Sequence, residues 1–312
     1  MNFSIRVTGD KHLNSAGPSY RHLGLVCQGG GQRGIFTAGV LDMFLKADFF
    51  PFSTLIGVSA GAQNLAAYAC GANGYARRAI VRHTTHKAFY SPIRFARGGH
   101  LVDLDWYFES LNSDTLLDVE RGQKRLEGRS FYLCASRRDT LEATYLPFHK
   151  DKLQQAIKAS SAIPLLYRDS AMLDGVDYWD GAVADALPVR AAHDKGCDCI
   201  VVIRTTPREA DGGAARLSRG LAYGRLKGMP ALIERHITNY NEANRFIENP
   251  PPAVNVVEIA PRQPLKSRML GSDLQALRHD YRLGLACGRM FLEHYAARLE
   301  GSTNTFPTTA TA

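Results

Sequence analysis

Short apolar runs that end in glycine or polar residues alternate along the chain with segments whose apolar residues recur at helical spacing. His22–Gln28 (HLGLVCQ) is such a run and predicts a buried strand. Gly34–Lys46 carries Ile35, Ala38, Val40, Leu41, Phe44 and Leu45 at helical intervals. A second apolar strand is expected at Ser53–Val58, followed by a small-residue helix from Ala60 to Cys70. Further strands are expected at Phe131–Ser136, Ala143–Phe148, Cys199–Arg204 and Val254–Ile259, and further helices at Lys152–Ser160, Pro188–Lys195, Pro230–Phe246 and Ser272–Leu299. Strands alternating with helices predict an α/β fold with a mostly parallel central sheet covered on both faces. Residues 1–21 are polar and turn-rich and read as an extended N-terminal arm. Residues 207–228, rich in Gly, Arg and Ala, read as a mobile loop, and 301–312 as a disordered tail. With no internal repeat and no strong linker, a single domain over residues 22–300 is expected.

Composition narrows the partners. The 312 residues are 45% hydrophobic, enough for a sizeable core, and the formal net charge is +8. A basic balance favours an anionic partner, a lipid surface or a nucleic acid, without choosing between them. The N-terminus lacks the apolar stretch of a secretory signal, and nowhere is there an apolar run of the ~20 residues a bilayer span needs. The expected location is cytoplasmic, with peripheral contact to the inner face of the membrane open. Cys27, Cys70, Cys134, Cys197, Cys199 and Cys287 sit mostly in apolar runs and read as reduced core residues. Cys197 and Cys199 have no matching His or Cys cluster, so no metal site is assigned there.

Three motifs carry candidate chemistry. Gly57-Val58-Ser59-Ala60-Gly61 lies between a predicted strand and a predicted helix, the setting of a nucleophile elbow. Gly29-Gly30-Gly31-Gln32-Arg33-Gly34 follows the first strand; its glycines let backbone N–H groups approach a ligand and stabilise an oxyanion. The same segment fits a dinucleotide fingerprint, but the acid that such a site wants about 20 residues on is met only by FFPF, with Asp48 just before it. No Gly-Lys-Ser/Thr follows, which excludes a P-loop. Asp180-Gly181-Ala182 is an aspartate in a glycine turn, and Asp174-Gly175 is locally an equal match.

A glycine segment after the first strand, GxSxG soon after it and a distant Asp-Gly together resemble the patatin-like phospholipases. The resemblance runs from about residue 22 to 290 and is greatest to the bacterial intracellular branch, where GGGxRGxFTAGVLD is typical; this chain reads GGGQRGIFTAGVLD from Gly29 to Asp42. The family's Ala-Ser-Ser-Ala-Ile-Pro block is present as Ala159 to Pro164. In the family a proline follows the catalytic aspartate by eight residues; Pro188 stands eight after Asp180, whereas Asp174 would need one at Ala182. Two departures are Gln28 where the family is often acidic, and Asp-Gly-Ala where Asp-Gly-Gly is usual. The resemblance implies a three-layer α/β/α fold and a Ser–Asp dyad acting on lipid acyl esters of phospholipids or lysophospholipids. Ser59 would be the nucleophile, Asp180 the proton acceptor, and the N–H groups of Gly30 and Gly31 the oxyanion hole. Gly29, Arg33, Gly34, Gly57, Gly61, Gly181 and Ala182 would complete the motifs, Arg33 either orienting the glycine loop or meeting a phosphate. No metal or organic cofactor is implied.

Two rivals share these residues. A Ser–His–Asp triad needs a histidine after the acid; His193, His236, His279 and His294 are available, but all fall on or beside predicted helices. A lipid-binding protein without catalysis would keep the fold but have no need of a paired Ser and Asp. Between Asp48 and Asp103 there is no acidic residue, while Arg77, Arg78, Arg82, Lys87, Arg94 and Arg97 alternate with Phe89, Tyr90 and Phe95. Basic side chains beside aromatics suit an anionic membrane surface. A solvated basic face is the plainer alternative, and no nucleic-acid module matches the sequence, so no nucleic-acid partner is expected. A second basic region holds Arg208, Arg216, Arg219, Arg225 and Lys227.

Overall fold

The computed structural model describes residues 2–9, 20–114, 116–208 and 229–300. Nine strands form one sheet: β1 (Phe3–Thr8), β2 (Leu23–Cys27), β3 (Thr54–Val58), β4 (Ser130–Arg137), β5 (Ala143–Pro147), β6 (Ala171–Leu173), β7 (Val176–Asp180), β8 (Cys199–Ile203) and β9 (Asn255–Pro261). Their order is β1-β9-β8-β2-β3-β4-β7-β6, with β5 also paired to β4. The five central strands, β9 to β4, are parallel, and the flanking pairings are antiparallel. Helices cover both faces, as the strand–helix pattern predicts, in the three-layer α/β/α arrangement the resemblance implies.

Alternate side chains of the buried strands feed two cores. Leu25, Leu55 and Val201 pack with α1 (Gly34–Lys46), α2 (Ala60–Ala69) and α10 (Leu274–Glu300), while Val26, Ile56 and Val202 pack with α8 (Val189–Asp194) and α9 (Met229–Glu248). This is the period-two alternation of a strand buried on both sides. The FFPF segment is spent in the first core, where Phe49 and Phe52 meet Phe44 edge-on and stacked at 5.1 and 6.4 Å between centroids.

Several differences from the sequence reading have plain causes. The arm at residues 1–21 contributes β1, which pairs with β9 from Phe3↔Pro261 to Thr8↔Val256. Strand β9 is buried throughout, so its outer edge needs a partner, and this segment supplies it. Residues 10–19 of that arm, the mobile-loop reading beyond residue 208 and the 301–312 tail lie outside the described residues. The interval between Ala69 and Ser130 holds four helices that were not predicted: α3 (Tyr75–Arg78), α4 (Pro92–Ala96), α5 (Leu104–Asp114) and α6 (Val119–Arg125). Two of them span four or five residues, too short to show a period. The remaining helix, α7 (Leu153–Ser161), falls within one residue of its predicted bounds. Asp174 and Gly175, both at positive φ (51° and 77°), form the two-residue turn of a β6–β7 hairpin. All six cysteines are buried and unpaired. Among the described residues, no helix is long and apolar enough to cross a membrane.

Candidate active site

Strand pairing brings the two expected catalytic residues together. Strand β4 carries β5 along one edge, from Tyr132 to Ser136. On its other edge β3 runs parallel and ends with Val58 opposite Cys134, while β7 runs antiparallel and ends with Asp180 opposite Ala135. The carboxyl ends of β3 and β7 therefore meet head to head at consecutive residues of β4. Ser59 follows Val58 directly, so its side chain and that of Asp180 project from the same point of the sheet. That point lies at the carboxyl ends of the parallel strands, where α/β sheets leave a crevice.

Ser59 has φ 53° and ψ −124°, a conformation that is costly for a residue with a Cβ. What holds it there is close backbone approach. A Cβ on Gly61 would lie 2.3 Å from the Cys27 carbonyl oxygen and 2.7 Å from that of Gln28, and one on Gly57 would lie 2.5 Å from Ala62 Cα. Neither site has room for a side chain. The Ser59 N–H donates to Ser160 Oγ at 2.8 Å, and Ser160 Oγ donates to the Cys134 carbonyl at 2.6 Å. Ser160, in the Ala159–Pro164 block, thus ties the elbow to β4.

Asp180 is 3% exposed. Burial in a low-dielectric site pushes its carboxyl up to about 6, opposed by hydrogen bonding from Ser59, by the Ala182 N–H and by the charge of His236. The Ala182 N–H donates to Asp180 Oδ1 at 2.9 Å. Ser136 Oγ donates to the Asp180 carbonyl at 2.9 Å and accepts the Ala184 N–H at 3.0 Å. Gly181 lies flat against β4; a Cβ there would be 2.2 Å from the Cys134 carbonyl oxygen. Asp174, the local rival, is exposed in its hairpin turn and paired with Lys152 at 2.7 Å. A buried carboxylate held near 6 beside a serine can act as a base at neutral pH.

The glycine loop lies beside the elbow. A Cβ on Gly29 would be 3.0 Å from Ser59 Cβ. Gly30 and Gly31 have φ 145° and 56°, and side chains there would strike Thr205 Oγ1 (2.6 Å) and the Met269 carbonyl (2.3 Å). Among the described residues, no acceptor meets the N–H of Gly30 or Gly31. Gln32, buried, anchors the loop: its N–H donates to the Met269 carbonyl at 2.9 Å, its amide donates to Thr84, and its Oε1 accepts the Ser272 N–H at 2.8 Å. Gln28 accepts the Thr205 N–H at 2.8 Å, and Thr205 Oγ1 donates to the Gly29 carbonyl at 2.5 Å. An acid at position 28 could not also donate to Thr206 as the Gln28 amide does at 3.2 Å. Arg33 Nε reaches the Gly30 carbonyl at 3.4 Å, and burial lowers its pKa. A Cβ on Gly34 would be 3.1 Å from Ala60 Cβ, so α1 and α2 start in contact.

From Ser59 and Gly31 an apolar cleft, open to solvent, runs outward between Ile80, Phe89, Val102, Leu104, Phe108 and Ile157. One wall comes from the basic stretch. That corrects the reading of Phe89 as a ring for the membrane interface, since Phe89 is buried in the cleft wall. Arg94 is likewise engaged: it donates to the carbonyls of Ala88, Phe89 and His100 and pairs with Asp103 at 3.7 Å. Phe95 lies under Arg168 at 4.9 Å. Arg77, Arg78, Arg82, Lys87 and Arg97 are exposed. In the second basic region Arg208 pairs with buried Glu258 at 2.6 Å, and its other members lie outside the described residues.

Of the four histidines weighed for a triad, His193 packs near Phe246, His279 bonds Asp280 and His294 bonds the Met290 carbonyl. His236 alone among them meets the acid turn, half-buried, with Nδ1 2.5 Å from the Ala182 carbonyl oxygen. The sequence reading, which set all four aside as helical, missed this contact along with Ser136, Ser160 and Thr205. Single polar residues inside or beside predicted elements leave no pattern to find. Among the described residues there is no cluster of three or more His, Cys, Asp or Glu that could hold a metal ion.

A family model described as patatin-like phospholipase matches residues 25–193, and a second, described as a domain of unknown function (DUF6363), matches residues 226–300. The uncharacterized protein YjjU of Escherichia coli K12 is 46% identical over 274 residues, which span 86% of this chain and 77% of its own. Among solved structures, VipD from Legionella pneumophila is 14% identical with a TM-score of 0.47, covering 93% of this chain and 70% of VipD. Human GIVD cytosolic phospholipase A2, in complex with methyl gamma-linolenyl fluorophosphonate, is 12% identical with a TM-score of 0.47. That match takes in 91% of this chain but 59% of the human one, less than two thirds of its length.

Proposed function

The chain belongs to the patatin-like phospholipase family, and on that premise we propose that it hydrolyses acyl esters of phospholipids or lysophospholipids through Ser59 and Asp180. Asp180 accepts the Ser59 proton as Oγ attacks the ester carbonyl. The oxyanion that forms is held by the N–H groups of Gly30 and Gly31. Collapse of the tetrahedral intermediate expels the alcohol, which takes the proton from Asp180 and leaves an acyl-Ser59. Asp180 then deprotonates a water that attacks this ester; as the second tetrahedral intermediate collapses, Asp180 returns that proton to Ser59 Oγ and the fatty acid leaves. The cycle needs no metal or organic cofactor.

The observation that carries this reading is the meeting of a serine at φ 53° with a buried carboxyl held near 6. The apolar cleft beside Ser59 suits an acyl chain. The exposed basic residues Arg78, Arg82 and Lys87 alternate along the chain with Ile80, Thr84 and Phe89 of the cleft wall, which supports docking of the cleft mouth on an anionic lipid surface. A lipid binder without catalysis would gain nothing from a strained serine beside a buried base, and would bear the cost of both. The test is labelling by a fluorophosphonate probe together with turnover of phospholipid vesicles. The wild type should label and release fatty acid. Ser59→Ala should do neither while keeping its fold, and a folded Ser59→Ala that turns over lipid at the wild-type rate ends the proposal.

A further inference from the structure

Helix α9 lies outside the segment matched to the patatin-like family and inside the segment whose matching model has no stated function. Its residues His236, Asn239 and Tyr240 stand three and four apart and share one face. Two of them bond main-chain oxygens of the turn that follows Asp180: His236 Nδ1 meets the Ala182 carbonyl at 2.5 Å, and Asn239 Nδ2 donates to the Ala184 carbonyl. The third, Tyr240, contacts Thr206 Oγ1 at 3.0 Å, and Thr206 bonds Gln28 at the head of the glycine loop. One helix face therefore touches both the acid turn and the strand end behind the oxyanion loop.

A carbonyl oxygen only accepts, so His236 carries its proton on Nδ1 in this contact. The Ala182 that His236 holds by its carbonyl is the residue whose N–H holds Asp180 Oδ1. The peptide groups of this turn are thus gripped from the sheet side by Ser136 and from the helix side by His236 and Asn239.

We infer that His236, with Asn239, is a positioning residue for the catalytic carboxylate: helix α9 clamps the Asp180 turn and fixes the carboxylate's aim at Ser59. This rests on the reading of Asp180 as the base. His236 is assigned to positioning and not to a triad because its Nδ1 bonds the main chain of the turn. A small misalignment of a base is enough to slow proton transfer many-fold.

The test uses the full chain with four variants beside wild type: Asp180→Asn, His236→Phe, His236→Gln and Asn239→Ala. Phenylalanine keeps the ring that stacks on Tyr240 at 5.9 Å and loses the donor; glutamine restores a donor without an imidazole. On a short soluble ester, His236→Phe should lower kcat about ten-fold or more with KM unchanged. His236→Gln should recover most of that loss, and Asn239→Ala should show a smaller loss of the same kind. If His236→Phe does not fold, the Gln and Asn239 variants still decide the matter. Wild-type kcat in both His236→Phe and Asn239→Ala, with Asp180→Asn dead, overturns the clamp and leaves the dyad standing. Loss in His236→Gln as complete as in Asp180→Asn overturns it in favour of a catalytic imidazole. An active Asp180→Asn removes the dyad itself and the clamp with it.

Discussion

The two halves of the site are held in opposite ways. The Ser59 elbow is fixed by missing side chains: Gly57, Gly61 and Gly29 let backbones close to contact distance, and the strain at Ser59 is locked in by that packing. The acid turn is fixed by side chains reaching it from elsewhere, Ser136 from β4 and His236 and Asn239 from α9. Steric enforcement of the first kind leaves a local motif. Hydrogen-bonded enforcement of the second kind is spread over more than a hundred residues of sequence. The first should fail abruptly when a methyl group is added, and the second should degrade one bond at a time.

The sharpest break lies between the two aspartates. Asp180→Asn removes the base in a nearly isosteric change and should cut turnover by roughly 10³-fold or more. Asp174→Asn loses an exposed pair with Lys152 and should change turnover little. Equal sensitivity at the two positions in a steady-state assay would undo the assignment of the acid.

Next in size is the contrast in enforcement. Gly61→Ala places a methyl group against two backbone carbonyls that cannot rotate away, and should destabilise the fold by about 3 kcal/mol. Ser136→Ala leaves the Ala184 N–H and the Asp180 carbonyl without a shared partner, and should cost about 2 kcal/mol. Urea unfolding of both variants measures the difference. A Gly61→Ala as stable as wild type would mean that the elbow has slack, and the contrast drawn above would lose its basis.

This contrast also explains what the sequence made legible. The glycine motifs, the Ala159–Pro164 block and the proline after Asp180 are local, and from them the proposed elbow, oxyanion loop and acid follow by residue number. The central parallel strands were legible because each is a mostly apolar run. Strand β1 was not: FSIRVT is half-exposed and becomes a strand only because β9 has an open edge. The cleft wall at residues 75–108 was hidden because its apolar residues lie on short helices and a π-turn at Ala79–His83, among arginines that read as a surface. His236 was hidden because a histidine on a helix shows no partner until the helix is docked.

Burial of the acid turn sets a pH dependence that the elbow does not share. Asp180 is held up to about 6, so the fraction in the basic form, and with it kcat/KM on a neutral ester, should rise about ten-fold per pH unit below 6 and level off above. Stability runs the other way. Asp180 and Asp185 are both raised by burial to about 6, so their contribution is fully present below about pH 4 and is lost as pH rises through 6. Asp180→Asn should flatten part of that loss in thermal scans between pH 4 and 7. A kcat/KM that stays flat down to pH 4.5 would show that the base is ionised throughout and that burial does not govern it.

The smallest effect is expected at the mouth of the cleft, where neither kind of enforcement operates. Arg78 and Arg82 are exposed, on the segment whose other face lines the cleft with Ile80 and Thr84. Arg77 is exposed too but lies over the Tyr281 ring at 4.8 Å, so it is partly engaged already. Each basic residue near an anionic leaflet contributes about 1 kcal/mol, fading over a Debye length of roughly 8 Å at physiological salt. Replacing all three with Gln should therefore weaken binding to phosphatidylserine-containing vesicles about ten-fold or more. Hydrolysis of a short water-soluble ester should be unchanged, because the cleft wall keeps its apolar residues and that substrate needs no docking. Raising salt should reproduce the vesicle defect in the wild type and add little to it in the variant. Binding that is equally tight in the triple variant, or the same at low and high salt, would assign these arginines to solvent and leave the approach to the membrane to another face.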